Sequence, residues 1–339
     1  MVRRLYATVK SSIFGPEGFH HTCSVGLSDP QPEVAVRLHG LGTPLDVTSR
    51  NVIAGFSPLT IGIGLERDLG ARLPAQCRLS LKFHEAGGAN RLLAEIGLRP
   101  VDTIPLGREQ LSLFAVGKYK NYCSPRLQCL RSYVSRTLRR PLSLKGDNAS
   151  NPKPTALESQ CLYAFYICPR PVVLVSVIDG KFGSIFPMDL IGPIGNHSFS
   201  LALHRTSAGV PLIEHSRRVA LSSVPMEQAA VAYALGKNHK NLSVDWQRLP
   251  FATTTSAAFD LPVPQFSLRV REMQVAAVLR TGSHALFVCD VVEDRRYSNG
   301  KQLFIIHGFY QNWRTKLQSM LRANGFLNNG YEVANGTHK

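Results

Sequence analysis

The sequence predicts a mainly β protein with a few helices, folded as small antiparallel barrels. Short apolar segments bounded by Gly, Pro, Asn and Asp recur along the whole chain, which is the pattern of strands joined by turns. These strands do not alternate with helices, as a doubly wound parallel sheet would require. The 339 residues suffice for two or three domains, and the hydrophobic content of 44% supplies a core.

The first half, residues 1–140, is predicted to be one domain. Residues 1–32 are interpreted as an arm with one strand. Strands follow in VAVRLHG, SPLTIGIGL, CRLSLKFH and QLSLFAVGKYKNY. DVTSRNVIAGF (46–56) is a polar strand or loop, and ANRLLAEIG (89–97) predicts a short helix that ends at Gly97.

The domain ends in a basic segment, RLQCLRSYVSRTLRR (126–140). Its Leu and Val residues recur at helical spacing between five arginines. A surface helix with a solvated basic face explains the pattern, and contact with RNA or acidic lipid is the alternative. Residues 141–155, PLSLKGDNASNPKPT, are rich in Pro, Asn, Gly and Ser, which indicates a linker.

The second domain, 156–325, repeats this style. The strand PVVLVSVI leads through an Asp179-Gly180 turn and a loop to a strand at 199–204 and a helix from about Val210. VALSSV is a strand and MEQAAVAYALG is helical, while 239–265 is irregular. The last strands are predicted in FSLRVREMQVAAVLRTG, HALFVCDVVED and KQLFIIHGFYQNW, followed by a polar helix and a flexible tail at 326–339.

The two halves share a pattern at their ends. Residues 117–122 and 308–313 both read G-x-Y-x-N-aromatic, and each follows an apolar strand that begins with Gln-Leu. This predicts a tandem duplication, in which the first copy is degenerate and lacks a counterpart of 205–236.

Composition narrows the classes of function. The net charge of +16 raises nucleic acid as a partner, but the basic residues are spread along the chain, so we do not expect a nucleic-acid protein. Seven cysteines without a C-x-x-C pair indicate reduced thiols and no metal site. No apolar run is long enough to cross a bilayer and no secretory leader is recognisable, so we expect a basic cytoplasmic protein.

The segment HRTSAG (204–209) bears on ligand chemistry. It offers an arginine, two hydroxyls and a glycine ahead of a helix, which suits a phosphate monoester. A polar strand-to-helix turn with Ser or Thr as N-cap explains the same residues. The sequence contains no G-x-S-x-G, no G-x-G-x-x-G and no P-loop.

Three segments carry a family resemblance: PVVLVSVIDGKFGSIFPMDLIG, FSLALHRTSAGVPLIEHSRRVALSSV and GSHALFVCDVV. Over about 169–313 the chain resembles the flavin reductase-like family of FMN-binding split barrels. The resemblance implies tandem split β-barrels of antiparallel, Greek-key-like topology. The family's flavin lies at a dimer interface, which implies a homodimer or an intrachain pseudo-dimer; in the latter case Asp46, Thr48, Ser49 and Asn51 would border the cofactor.

The resemblance also assigns roles to residues. The FMN ring would face Phe186, Pro187, Met188, Asp189, Leu190 and Ile191, and Arg205, Thr206 and Ser207 would bind the phosphate. His284 would occupy the place of the family's histidine on the nicotinamide side. His204, Arg218 and Tyr310 complete the cofactor-binding candidates. The residues also allow plainer interpretations: a packed loop at 186–191, a capping or hydrogen-bonded His284, and a core Tyr310.

The function that this resemblance implies is an FMN-dependent oxidoreductase. It would pass hydride from NAD(P)H to the flavin and electrons onward to oxygen, a partner oxygenase or a small acceptor. The chain departs from the family in its FPMDLIGPIG loop and at Ser283, where the family has an aspartate. The alternative is a non-catalytic split-barrel module that binds RNA or another polyanion, or a heme or deazaflavin binder.

Overall fold

The computed structural model describes residues 22–70, 78–87, 89–107, 109–123, 127, 130 and 155–323, and the following account concerns those residues. Outside them lie the first 21 residues and the tail at 326–339. The predicted basic helix at 126–140 also lies outside them, apart from the helical residues Leu127 and Leu130, as does the predicted linker, apart from Thr155.

The first half forms a curled antiparallel sheet of seven strands. Its elements are β2 (Val34–His39), β3 (Leu45–Asp46), β4 (Asn51–Gly55), β5 (Thr60–Glu66), β6 (Leu79–Glu85), β7 (Leu92–Leu106) and β8 (Glu109–Asn121). They pair in the order β3-β2-β6-β7-β8-β5-β4. A one-turn helix, α1 (Arg67–Gly70), follows β5. Alternating buried and half-buried residues along β2 and β6 put one face of the sheet in the core.

The second half forms another seven-stranded antiparallel sheet. Its strands are β10 (Val173–Asp179), β11 (Phe182–Met188), β12 (Ile191–Pro193), β13 (Ser198–His204), β14 (Arg218–Ser223), β17 (Arg269–Thr281) and β18 (His284–Arg296). They pair in the order β11-β10-β14-β17-β18-β13-β12. Strand for strand, this is the order of the first sheet, so the fold is mainly antiparallel β and fits tandem split barrels.

Smaller elements complete the architecture. The strands β1 (Thr22–Leu27), β19 (Gln302–His307) and β9 (Arg170–Pro171) form a three-stranded sheet, and β15 (Thr253–Thr255) pairs with β16 (Pro262–Pro264). The helices are α2 (Ala156–Phe165), α3 (Gly209–Ser216), α4 (Ala229–Ala234) and α5 (Gly308–Ala323), with 3-10 turns at Met226–Gln228, Leu235–Lys240 and Trp246–Arg248. No helix of the described chain is long and apolar enough to span a membrane.

Three local predictions were wrong. The helix predicted at 89–97 lies largely in strand β7, whose residues pair with both β6 and β8, because sheet pairing overrides weak helix propensity. The strand predicted through 313 ends at His307, and α5 begins at Gly308. The two G-x-Y-x-N segments therefore lie in different elements, β8 and α5, and the strand order is what relates the two halves.

Helix α2 belongs to the predicted second domain, 156–325, but packs against the first sheet. Thr155 and Glu158 form a capping box at its start, and Glu158 also accepts a hydrogen bond from the Leu59 backbone N–H at 2.7 Å. At the other end, the ring of Phe165 packs edge-on against Phe83 of β6. The helix thereby covers the apolar interior of the first sheet and joins it to the residues that precede β9.

The two sheets meet through an apolar contact at which their backbones approach closely. Val52, Ala54, Leu111 and Leu113 of the first sheet form one buried cluster with Ile194, Ala202, Leu286 and Val288 of the second. Beside it, the Ser283 backbone N–H donates to Phe56 O at 2.7 Å. Gly282 has a φ of +57°, and a Cβ there would lie 2.1 Å from Phe56 O.

We predict that Gly64→Ala destabilises the protein by about 1–3 kcal/mol or more. A Cβ at position 64 would lie 1.9 Å from the backbone oxygen of Ile194, so the two sheets must move apart. Urea unfolding measures the effect. Gly236→Ala is the matched control, because a Cβ there has no heavy atom within 4 Å. Equal stability of the two variants would contradict the close approach.

Candidate functional site

A cavity of about 520 Å³ lies where the second sheet meets the three-stranded sheet. Pro187, Met188 and Asp189 line it from the end of β11. Helix α4 forms a second wall with Ala230, Tyr233 and Ala234. The remaining lining consists of Thr22 and Ser24 of β1, Ile305 of β19, and Val172, which lies between β9 and β10. The α4 residues are exposed to solvent, so the cavity opens on that side.

The residues predicted to face a ring divide between the cavity and the core. Residues 186–188 belong to strand β11 and pair with β10, so only Asp189 and Leu190 connect β11 to β12. The prediction of a loop over 186–191 was therefore wrong, because the β10–β11 hairpin continues to Met188. Phe186 and Ile191 pack in the core of the second sheet, and Leu190 is half-buried, which leaves Pro187, Met188 and Asp189 at the cavity.

Asp189 is a cavity residue whose carboxyl group is buried and hydrogen-bonded. The Tyr166 hydroxyl donates a hydrogen bond to its Oδ2. Burial raises the pKa of Asp189, and the Tyr166 hydrogen bond and the Arg170 charge oppose that rise. Burial, together with the negative charge of Asp189, also raises the pKa of Tyr166. Asp189 and Tyr166 are therefore a buried pair in which the negative charge of Asp189 disfavours ionisation of Tyr166, while the Tyr166 hydrogen bond stabilises the carboxylate of Asp189.

Arg170 provides the positive charge near this pair. Its guanidinium is buried, donates to the backbone oxygen of Asn51 at 2.9 Å, bonds the Asn51 side chain, and lies 3.8 Å from the Phe165 ring centroid. Burial lowers its pKa, and the negative charges of its neighbours oppose that shift. Asn51, predicted to border a cofactor, is thus held through Arg170, while Thr48 bonds within its own sheet to Val36.

His239, in the 3-10 turn after α4, joins the cavity to the HRTSAG segment. Its Nε2 lies 2.9 Å from the carbonyl oxygen of Pro187, and its ring contacts Phe186. Its own carbonyl accepts from the Ser207 hydroxyl at 3.2 Å and from the Ala208 N–H at 2.8 Å. Burial lowers the pKa of His239, which favours the neutral ring.

The predicted phosphate segment begins at the end of β13 and leads into α3. Arg205 and Thr206 are exposed, whereas Ser207 is buried with its hydroxyl directed to His239. His204 Nδ1 lies 2.8 Å from the Thr206 hydroxyl. Because His239 occupies the Ala208 N–H at the start of α3, the groups of this segment that face solvent are the side chains of Arg205 and Thr206.

His284 lies at the start of β18, directly opposite His204 in the register. It is buried between His204 and Phe56 of the first sheet, with ring centroids 5.3 Å and 5.0 Å away, and its Nδ1 lies 3.0 Å from the Ser283 hydroxyl. It is not among the residues that line the cavity. The position assigned to the family's histidine is thus part of the contact between the two sheets.

Two candidates lie away from the cavity, contrary to the prediction. Arg218 stacks on Phe259 on the face of β14 that the β15–β16 hairpin covers, whereas α3 packs on the opposite face because side chains alternate along a strand. Tyr310 is buried in α5, where its hydroxyl donates to Glu33 at 3.2 Å and its ring stacks on Trp313. Tyr310 therefore fixes α5 to the first sheet.

Sequence reasoning missed Tyr166, Arg170, Tyr233 and His239, although all four lie at or beside the cavity. Tyr166 caps the end of α2 and Arg170 lies in β9, both shortly before the apolar strand β10, where a polar residue predicted to be buried is a usable signal. Tyr233 and His239 lie in a helical stretch and an irregular stretch that carried no motif. Their proximity to Asp189 depends on how α4 and the turn after it fold back over β11.

The buried environment of His284 predicts that its imidazole stays neutral far below the usual pH. Burial, together with the His204 charge, lowers its pKa from 6.5 to about 4. In the unfolded chain this histidine takes up a proton below 6.5, so stability is lost as pH falls from 6.5 towards 4, by about 1–2 kcal/mol at pH 5. NMR titration of the imidazole measures this directly, and a titration midpoint near 6.5 would contradict it.

Comparison of the chain with known families, curated proteins and solved structures gives matches among the solved structures. No family model and no curated protein matches the chain. Among solved structures, the NADH:FAD oxidoreductase SgcE6 of Streptomyces globisporus C-1027 is 14% identical, with a TM-score of 0.40, and the match covers 44% of this chain and 88% of that one.

Two further structures are similar. The FMN-binding protein of Thermus thermophilus with bound p-hydroxybenzaldehyde is 21% identical, with 40% of this chain and 74% of that one covered and a TM-score of 0.35. BorF, the flavin reductase component of a bacterial two-component tryptophan halogenase, is 15% identical, with 44% and 92% covered and a TM-score of 0.40. These three structures are described as an NADH:FAD oxidoreductase, an FMN-binding protein and a flavin reductase component.

Proposed function

We propose that this protein is a flavin-binding, flavin reductase-like oxidoreductase that accepts hydride from NAD(P)H, with FMN as the flavin. The observation that carries the proposal is the cavity at residues 187–189. These residues belong to the segment that the family resemblance assigns to the flavin ring, and they line a space of about 520 Å³. Ligand pockets of roughly 300–1,000 Å³ are usual for small molecules and cofactors.

The walls of the cavity suit a planar heteroaromatic ring. Val172, Met188 and Ile305 supply apolar surface, and Asp189 supplies a polar group. Ala230 and Ala234 lie one helical turn apart on the α4 wall, and their small, exposed side chains leave the opening free. A ring could enter by that side with its edge towards Asp189.

The chain's residues would bind the rest of the cofactor through the segment after β13. His239 contacts both Pro187 of the cavity and Ser207 of the phosphate segment, so a single residue bridges the two regions in space. We assign the phosphate to the exposed side chains of Arg205 and Thr206, since charge-assisted donors bind phosphate most strongly. When bound, a flavin supplies hydride acceptance and onward electron transfer.

The first sheet takes, in this proposal, the place of a second subunit. It has the same strand order as the second sheet, and it contacts β12, β13 and β18 through β4. Its Asn51 holds Arg170, and Arg170 acts electrostatically on Asp189. The chain would therefore be an intrachain pseudo-dimer that arose by tandem duplication. A partner enzyme such as an oxygenase would receive the electrons.

The first experiment measures flavin binding. The wild-type protein is expected to quench FMN fluorescence on binding and to bleach the flavin's visible absorbance on addition of NADH or NADPH. Ala234→Trp should weaken FMN binding by about tenfold or more, because a bulky side chain fills the opening of the cavity without disturbing the core. Ala257→Trp, at an exposed turn elsewhere, is the matched control. A protein that does not take up FMN would overturn the proposal, and co-purifying nucleic acid would favour the polyanion alternative.

The second experiment separates the phosphate from the ring. Arg205→Ala should weaken FMN binding by about tenfold, since hydrogen bonds to charged groups contribute roughly 1.5–3 kcal/mol, and should leave riboflavin binding unchanged. Arg295→Ala removes an exposed arginine near the far end of β18 and controls for general electrostatics. An equal effect of Arg205→Ala on FMN and riboflavin would contradict the assignment.

A further inference from the structure

Asp189 places a carboxyl group on the wall of the cavity, and a carboxylate is a stronger acceptor than the hydroxyls of Thr22, Ser24 and Tyr233 that also line it. Among the described lining residues it carries the one carboxylate. Ser24 and Tyr233 are the nearest alternatives, but their hydroxyls lie 2.8 Å apart and bond each other. A ligand that presents a donor inside the cavity therefore finds its best acceptor at Asp189.

The Asp189 carboxyl group is held in place by Tyr166, a residue that does not itself line the cavity. The Tyr166 hydroxyl donates to one oxygen, Oδ2, and Tyr166 is itself buried beside Phe165. The backbone N–H of Asp189 also donates to the carboxyl group. A carboxylate has about four acceptor positions on its two oxygens, so these two donors leave about half of them free. Arg170 keeps a positive charge nearby, but its own hydrogen bonds go to Asn51. These contacts orient the carboxyl group and leave acceptor positions on its oxygens available to a ligand.

The geometry matches one edge of the proposed ligand. A flavin ring carries an imide, an N–H between two carbonyl groups, on its pyrimidine edge, and its opposite side is apolar. Met188, Val172 and Ile305 offer contacts for the apolar part, and Asp189 offers an acceptor for an N–H.

We propose that Asp189 accepts a hydrogen bond from the imide N–H of the bound flavin ring, so that the site selects planar heterocycles with an unsubstituted imide. This inference rests on the proposed function and specifies its ligand recognition. Tyr166 is the positioning residue, because it acts through Asp189.

Binding of two ring analogues to the full-length protein tests the inference. Lumiflavin has the imide N–H, and 3-methyllumiflavin replaces that hydrogen with a methyl group. Neither has a phosphate, so the phosphate segment plays no part. We expect the wild-type protein to bind lumiflavin about tenfold or more tightly than its 3-methyl analogue, as measured by fluorescence quenching, because a hydrogen bond to a charged group is lost.

Variants locate the source of this discrimination. Asp189→Ala should bind both analogues with similar affinity, whereas Asp189→Asn keeps an acceptor oxygen and should retain a preference for lumiflavin. Equal binding of the two analogues by the wild-type protein would overturn the role of Asp189 and leave the proposed function standing. Wild-type protein that binds neither analogue would overturn both. Discrimination that persists in a folded Asp189→Ala variant would assign the imide contact to another group.

Discussion

The contact between the two seven-stranded sheets is the constraint on which the rest of the structure depends. At Gly55, Gly64 and Gly282 the backbones approach so closely that a Cβ would lie 2.2 Å or less from a backbone oxygen of the other sheet. This approach buries the apolar cluster around Val52 and Leu286. It also brings Asn51 within hydrogen-bonding distance of Arg170, whose charge acts on Asp189. The cavity's electrostatics are therefore tied to the packing of the two halves.

The two sheets share a strand order but differ in what covers them. The second sheet packs α3 against its own core, while the first receives α2 from the predicted second domain. The second half also carries α4, the 3-10 turn to Lys240 and the β15–β16 hairpin between β14 and β17, whereas the corresponding connection in the first sheet, from β6 to β7, runs only from 86 to 91. The α4 wall of the cavity thus comes from a long connection that the first sheet does not have at this place.

His239 lies between the two parts of the proposed site, the cavity and the segment after β13, and contacts both. An anion bound at the start of α3 would accept hydrogen bonds from the free backbone N–H groups of the helix N-terminus. The Ala208 N–H and the Ser207 hydroxyl are instead satisfied by the His239 carbonyl, and the neutral ring of His239 bridges to Pro187. In the proposed site, recognition would consequently depend on side chains: Asp189 in the cavity, and Arg205 and Thr206 at the surface.

The sequence by itself determined the class of the fold and the position of most strands. Alternation and turn residues suffice for β2, β6 and β10, which leads into a turn at Gly180 with a φ of +58°, but they did not predict that the chain continues as β11. They did not suffice for 89–97 or 308–313, where local propensity competes with pairing to distant strands. The family resemblance assigned 186–191 to a ring, and three residues of that segment, Pro187, Met188 and Asp189, line the cavity. Only the tertiary structure decided that Tyr166, Arg170 and His239 surround that acid, and that Arg218 and Tyr310 lie elsewhere. Those placements depend on which face of a strand a residue occupies and on how helices fold back, and neither is encoded in local sequence.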